Sequence, residues 1–92
     1  MTIIATTTNL TLTSANCHVV TTTGSGSITI TLPASSKFVG QQISIIKKSS
    51  TGSVYVSTVS GDVLFLASAT YPLTALGDRN NFVATGNSWD SI

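Results

Sequence analysis

In Ser27-Ile28-Thr29-Ile30-Thr31-Leu32, polar and apolar side chains alternate without a break. A period of two places every second side chain on one face of an extended strand, so this stretch predicts a strand with its Ile and Leu side chains turned towards a core. Shorter alternations of the same kind lie at Asn9–Thr13, Gln42–Ile45 and Ser53–Ser57. Threonine suits the outward positions because its branched Cβ fits the pleated surface of a sheet.

The composition agrees with a β-rich domain and excludes several other classes. Of the 92 residues, 41% are hydrophobic and only 8% are charged, and the formal net charge is +1. Disordered chains combine low hydrophobicity with high net charge, and nucleic-acid-binding domains carry basic clusters, so neither class fits. The longest apolar run, Val63–Ala67, is far shorter than the roughly 20 residues of a membrane-spanning helix. The single cysteine, Cys17, excludes an intramolecular disulfide and a multi-thiolate zinc site.

Short turn segments separate the predicted strands. Glycine, asparagine and serine mark such turns, for example between the predicted strands at Val19–Thr22, Ser27–Leu32, Gln42–Lys48 and Ser53–Thr58. We therefore predict a single domain over residues 1–92, an all-β, compact antiparallel β-sandwich, jelly-roll-like, with about eight short strands. Met1 and the lack of linker tails favour a complete chain.

A weak internal echo links two of the turn segments. Thr23-Gly24-Ser25 resembles Thr51-Gly52-Ser53, but three residues are too few to indicate a repeat.

The titratable residues do not predict a catalytic, cofactor-binding or metal site. All three carboxylates, Asp62, Asp78 and Asp90, lie in or beside predicted turns. Asp62 and Asp78 follow glycine, where aspartate commonly closes a turn, and Asp90 lies beside Trp89. Cys17 and His18 are adjacent in a predicted strand, so their side chains point to opposite faces and cannot act as a pair within one chain. The sequence therefore favours a protein that is not an enzyme and that needs no cofactor.

The one basic pair in the sequence, Lys47 and Lys48, lies at the end of a predicted strand. Lysine at a strand end discourages unwanted pairing with other chains, and we interpret the pair as protection of a sheet edge. A contact with phosphate or sialic acid is the alternative, although no arginine cluster supports it.

Three aromatic residues are candidates for ligand contact: Tyr55, Tyr71 and Trp89. Tyr55 lies on the strand face opposite Val54 and Val56, so it points outwards if those two residues are in the core. Exposed aromatic rings stack on sugar faces and anchor interfaces. For Trp89 the competing interpretation is that it closes one end of the core.

The segment Val63-Leu64-Phe65-Leu66 is apolar at every position, which predicts a strand covered on both faces. A small two-layer domain has little material for a second cover. We name these four residues as a candidate subunit interface, with a central position in the sandwich as the alternative.

Several short motifs follow one another along the second part of the chain. In chain order they are Thr31-Leu32-Pro33, Gly40 with Ile43-x-Ile45-x-Lys47-Lys48, Val54-x-Val56, Gly61-Asp62, Tyr71-x-Leu73 and Gly86-Asn87-Ser88-Trp89. This order resembles a small β-module of tail fibres, tail-spike-associated proteins and minor virion proteins of bacteriophages and large DNA viruses. The resemblance covers about residues 19 to 92. The chain departs from the module at Val63-Leu64, at Pro72 and in the polar stretch Gly77–Asn81.

The resemblance implies a non-enzymatic structural protein located in the virion. Such a module belongs to a tail fibre or spike, or decorates a capsid, and acts in virion assembly or host attachment. It implies a homotrimer whose further partners are other virion proteins and a host surface glycan, with no nucleic acid and no membrane insertion. A carbohydrate-binding module that uses exposed aromatics and polar loops is the alternative, and an enzyme is the least supported class.

Overall fold

The structure, a computed structural model, describes residues 2–24, 26–59, 61–64 and 70–91. These residues form an all-β fold of two sheets, and the only helical segment among them is a 3-10 turn at Ser35–Lys37. The ten strands of the described part are β1 (Thr2–Thr6), β2 (Leu10–Thr11), β3 (Cys17–Thr21), β4 (Ser27–Leu32), β5 (Gln42–Lys47), β6 (Ser53–Thr58), β7 (Val63–Leu64), β8 (Thr70–Leu73), β9 (Arg79–Ala84) and β10 (Ser88–Ser91).

The chain passes back and forth between the two sheets. Sheet A has the strand order β1-β3-β5-β9-β10-β7, and sheet B has the order β2-β4-β6-β8. Each strand from β2 to β9 therefore lies in the opposite sheet from the strand before it. One passage through both sheets makes one coil: β1 and β2 form the first coil, β3 and β4 the second, and β5 and β6 the third.

The second and third coils stack in parallel with one constant register. Cys17 pairs with Ile43 in sheet A, and Ser27 pairs with Ser53 in sheet B, so 26 residues separate the partners in both sheets. The first coil is shorter, because Thr2 of β1 pairs in parallel with Cys17 of β3, 15 residues further along. The molecule is therefore built as a short stack of parallel coils, followed by strands that close it.

The expected antiparallel arrangement is wrong for most of the strand pairs. Of the eight pairings within the described ranges, five are parallel, and only β5 with β9, β6 with β8, and β9 with β10 are antiparallel. Apart from the β9–β10 turn, the turn segments do not connect neighbours in one sheet but lead the chain across to the other sheet. A jelly roll is built from antiparallel Greek keys, so that connectivity is wrong for the stacked coils as well, and the described residues contain ten strands rather than eight.

The buried residues of both sheets form one hydrophobic core. Every second residue of β4 is buried, as are Val54 and Val56 of β6, and Ile30 and Val56 are fully inaccessible to solvent. Sheet A contributes alternate residues of β5 and β9, among them Ile45 and Phe82. The period-two pattern of the sequence is thus confirmed: the apolar positions face the core between the two sheets.

Side chains near the end of β4 join the two sheets. The indole N–H of the fully buried Trp89, on β10 in sheet A, donates to the carbonyl of Pro33 after β4 in sheet B, at 2.9 Å. The buried hydroxyl of Ser35 accepts the backbone N–H groups of Thr85 and Gly86 and donates to the carbonyl of Ser88. The turn between β9 and β10 is therefore held against the end of β4.

Candidate functional site

Of the three aromatic residues considered for ligand contact, only Tyr55 points away from the core. It lies on β6 with 37% of its surface exposed. Tyr71 is half-buried and meets Phe82 edge to face, with 6.1 Å between the ring centroids. Trp89 is fully buried, so it is not available to a ligand and instead closes the core, as the competing interpretation held. The three rings therefore do not form one site.

Tyr55 stands among hydroxyl side chains on the outer surface of sheet B. Thr29 is its neighbour on β4, and Thr31 and Ser57 form the next pair along the same strands. The hydroxyl oxygens of Thr31 and Ser57 lie 3.2 Å apart, within hydrogen-bond distance. We call Thr29, Thr31, Tyr55 and Ser57 the hydroxyl face.

The hydroxyl face has the chemistry of a shallow sugar-binding surface. An exposed phenol ring offers a flat apolar side for stacking, and the hydroxyls beside it can both donate and accept hydrogen bonds. The described residues contain no pocket, so a ligand here would lie on the surface rather than in a cleft.

The proposed interface segment is only partly within the described residues. Val63 is 46% exposed and Leu64 is almost fully buried, on a strand that pairs with β10 at the edge of sheet A. Phe65 and Leu66 lie outside the described residues. Strand β7 is thus open to solvent on the face of Val63 and covered on the face of Leu64.

In each coil the chain passes from sheet A to sheet B at a corner, near Thr23 in the second coil and near Ser49 and Thr51 in the third. These two corners lie against each other through polar contacts that sequence reasoning missed. The Thr23 hydroxyl lies 2.7 Å from the Ser49 hydroxyl and also donates to the carbonyl of Thr51. In return, the Thr51 hydroxyl donates to the carbonyl of Thr23. Thr23 and Ser49 are again 26 residues apart, so the stacking register of the strands continues through the corner.

The Lys47 ammonium stabilises this corner from inside. Lys47 is fully buried at the end of β5, and its ammonium donates to the carbonyls of Ser49 and Thr51, the latter at 3.0 Å. Strand β5 lies between β3 and β9 within sheet A, so the interpretation of Lys47 as edge protection is wrong. Its neighbour Lys48 is exposed.

The 26-residue repeat is the sequence signal that would have revealed the stacked corners. Gly26-Ser27-Ile28-x-Ile30 and Gly52-Ser53-Val54-x-Val56 match at this spacing. The similarity between Thr23-Gly24-Ser25 and Thr51-Gly52-Ser53 has a spacing two residues longer than the 26-residue register. It therefore does not indicate the true repeat. Gly26 occupies the position in the second coil that is equivalent to Gly52 in the third. Its carbonyl accepts the backbone N–H of Ser53 at 3.2 Å.

Asp78 closes its own turn, as the sequence predicts, whereas Asp62 bonds a distant segment and Asp90 lies within β10. Asp62 accepts the backbone N–H of Ser35 at 2.8 Å, and Asp90 accepts the hydroxyl of Ser88. Asp78 accepts the N–H groups of Ala75 and Thr74. These two hydrogen bonds, that of Ala75 first, hold the pKa of Asp78 below its usual range, and the positive charge of Lys47 adds to the effect.

Cys17 and His18 point to opposite sides of β3, as expected from their adjacency. Cys17 is buried in the core, and its burial raises the pKa of the thiol. His18 is half-buried on the outer surface of sheet A. Within the described ranges, no group of three or more His, Cys, Asp or Glu side chains is placed to hold a metal ion.

Two further findings bear on the class of protein. Among the described residues no helix has the length and hydropathy needed to cross a membrane. Comparison with models of protein families, with curated proteins and with solved structures finds no match for this chain. The resemblance to the viral β-module stays a prediction.

Proposed function

We propose that this chain is a non-enzymatic structural module of a virion, part of a tail fibre or spike or attached to a capsid, that acts in assembly or host attachment. The observation that carries the proposal is the parallel stacking of the second coil on the third, in which strands and polar corners keep one register of 26 residues. In stacked coils each coil contacts only its neighbours, which gives a rigid unit suited to a fibre or a particle surface. The motif order that resembles viral fibre modules supports the same class.

The low charge of the chain fits this role. With only 8% charged residues, little of the stability depends on exposed ion pairs that salt would screen. The stability rests instead on the apolar core and on hydrogen bonds at the corners, which are made by hydroxyl groups, backbone groups and the buried Lys47 ammonium. Such a module keeps its structure outside the cell, where ionic strength varies.

The proposal includes a homo-oligomer, and we expect a trimer that uses the exposed side of Val63 in the segment of residues 63–66. Light scattering behind a sizing column measures this state directly. A mass of three times the 9.5 kDa of the chain, or a multiple of that, supports the trimer. A monomer at all concentrations contradicts the oligomeric part of the proposal.

The location in the virion is tested separately, on particles purified by density gradient from cultures that carry the gene. Mass spectrometry of the particle fraction should find peptides of this chain in constant ratio to the major capsid protein. Presence in the cell lysate and absence from washed particles would contradict a structural role in the virion.

A surface-bound glycan is the second candidate function, and the position of Tyr55 on the hydroxyl face is the observation that favours it. On a glycan array, Tyr55→Ala should lose about 5- to 30-fold in affinity, because a stacked aromatic ring contributes on the order of 1–2 kcal/mol. Tyr55→Phe is the matched control, since it keeps the ring and should keep most of the binding. Equal binding by all three proteins rules this function out.

A further inference from the structure

The two sheets have four edge strands, and three of them are poor templates for another strand. Strands β2 and β7 are two residues long in the described part, and β8 carries Pro72, which has no N–H to donate. The remaining edge, β1, is five residues long and has the sequence Thr-Ile-Ile-Ala-Thr, without proline or charge. Among the strand edges that the described residues form, it is therefore the one without the usual protection against pairing.

The backbone of β1 shows which of its groups face the open side. The N–H of Thr2 donates to the carbonyl of Asn16, and the carbonyl of Thr6 accepts the N–H of Thr22, so both residues face β3. In a parallel ladder, alternate residues direct their backbone groups to opposite sides. Ile3 and Ala5 therefore direct two N–H donors and two carbonyl acceptors away from the sheet.

We propose that β1 is a pairing edge that binds the β1 strand of a second copy of this chain, in antiparallel orientation about a two-fold axis at Ile4. In this register Ile3 lies opposite Ala5 of the second copy, and the two residues exchange both of their backbone hydrogen bonds. The symmetric pair does the same, which gives four hydrogen bonds in total. A two-fold contact needs a self-complementary strand, and Thr-Ile-Ile-Ala-Thr has this property.

The side chains of β1 fit this register. Thr2 lies opposite Thr6 of the second copy, and threonine pairs are favourable across strands. The two Ile4 side chains meet on the core side, where Ile4 already packs against the hydrophobic core. Ile3, which is 72% exposed, gains a neighbour on the outer surface. No charged side chain of β1 opposes another, so nothing in the strand repels its copy.

This contact is independent of the proposed virion function and of the trimer proposed through residues 63–66. If the trimer also forms and the two-fold axis at β1 crosses its three-fold axis at a right angle, pairing through β1 joins two trimers, and the mass becomes that of six chains. If it does not, the pairing gives a dimer. In either case the edge predicts an even number of chains.

Proline substitution tests the edge, because Ala5→Pro removes an outward N–H while its φ suits a strand. By light scattering at several concentrations, the wild-type protein should have an even multiple of 9.5 kDa. Ala5→Pro should halve the mass, and the matched control Ala5→Val, which keeps the N–H, should leave it unchanged. A wild-type monomer or trimer, or an Ala5→Pro assembly of unchanged mass, overturns the proposal.

Cross-linking tests the register without a proline in the strand. In a Cys17→Ser background, Ile4→Cys places the two thiols opposite each other, at a Cα separation that a disulfide can bridge. In the same register, Ile3→Cys lies opposite Ala5 of the second copy, two residues along the strand from the cysteine of that copy. The two cysteines are then too far apart for a disulfide. Oxidation should give a covalent dimer with Ile4→Cys and not with Ile3→Cys, although Ile3 is the more exposed. Equal cross-linking of both, or none with Ile4→Cys, contradicts the register.

Discussion

Lys47 and Lys48 are neighbours in the sequence and lie in opposite environments. Lys48 is exposed, whereas Lys47 is fully buried and donates to the carbonyls of Ser49 and Thr51. A buried ammonium is tolerated only when hydrogen bonds replace the water it has lost. The corner carbonyls supply those bonds, so the same contacts that keep Lys47 inside also hold the corner in place.

Replacing the two lysines separately should therefore have unequal effects. Lys47→Met keeps the aliphatic length and removes the ammonium from both carbonyls, although the Thr51 carbonyl keeps the Thr23 hydroxyl as a donor. The loss should lower the free energy of unfolding by about 2 kcal/mol. Lys48→Met should change it by less than about 0.5 kcal/mol. Urea unfolding followed by the fluorescence of the buried Trp89 measures both. A larger loss for Lys48→Met would contradict the placement of Lys47.

Asp78 makes the free energy of unfolding depend on pH. Its pKa is lower in the folded protein than its ordinary value of 3.8, so the ionised form favours folding. This stabilisation is complete above the ordinary pKa and is lost as the pH falls through the folded pKa. Asp78→Asn removes the charge and keeps the shape. The difference in unfolding free energy between wild type and Asp78→Asn should stay constant above about pH 5 and shrink in more acidic buffer. A constant difference down to pH 2 would show that the charge of Asp78 has no such role.

At the scale of the element, the corners determine how the strands stack. Gly52 has a φ of 69°, and a Cβ at this position would overlap the carbonyl oxygen of Gly26 and lie 2.5 Å from that of Gly24. The two coils therefore approach each other closely only because glycine occupies this corner. Gly40 also has a positive φ, of 82°, but no atom lies within 4 Å of a Cβ there.

The two glycines separate backbone strain from the close approach of the coils. Gly40→Ala should cost about 1 kcal/mol, because it forces alanine into the left-handed region. Gly52→Ala adds the overlap with the second coil and should cost on the order of 3 kcal/mol. Thermal or urea unfolding of the two variants provides the comparison. Equal losses would mean that the coils do not meet at Gly52.

The strand positions could be predicted from the sequence, but the way the strands pair could not. The predicted strands Ser27–Leu32 and Ser53–Thr58 have the same bounds as β4 and β6. Alternation identifies which side chains face the core, and it is the same for parallel and antiparallel neighbours. Pairing depends on where the chain goes after each turn, and Gly-Ser-rich segments can form a hairpin or lead across to another sheet.

For the candidate sites, too, one part could be predicted from the sequence and another could not. The outward position of Tyr55 followed from its place between Val54 and Val56, and the structure confirms it. The contribution of Lys47 could not be predicted, because its partners Ser49 and Thr51 become acceptors only when the corner folds back over the strand end. Local sequence predicted the face of a side chain, and it did not predict contacts made by the shape of a corner.

At the scale of the whole molecule, the stack of coils has one open end and one closed end. The closing strands β8 and β9 pair antiparallel with the third coil, and β10 extends sheet A with Trp89 and the β9–β10 turn held against Pro33 and Ser35. At the opposite end, β1 and β2 of the first coil are the edges of their sheets. The two ends of the molecule along its stacking direction therefore differ, and the open end is where a second copy is proposed to bind.

The central claim is that the second and third coils stack in parallel, and proton–proton contacts measured by NMR test it most directly. In isotope-labelled protein, backbone nuclear Overhauser effects should connect Ser27–Leu32 with Ser53–Thr58 in ascending order, with Ser27 near Ser53 and Leu32 near Thr58. Contacts in descending order, with Ser27 near Thr58, are those of an antiparallel pair. They would contradict the stacked coils and the structural role derived from them.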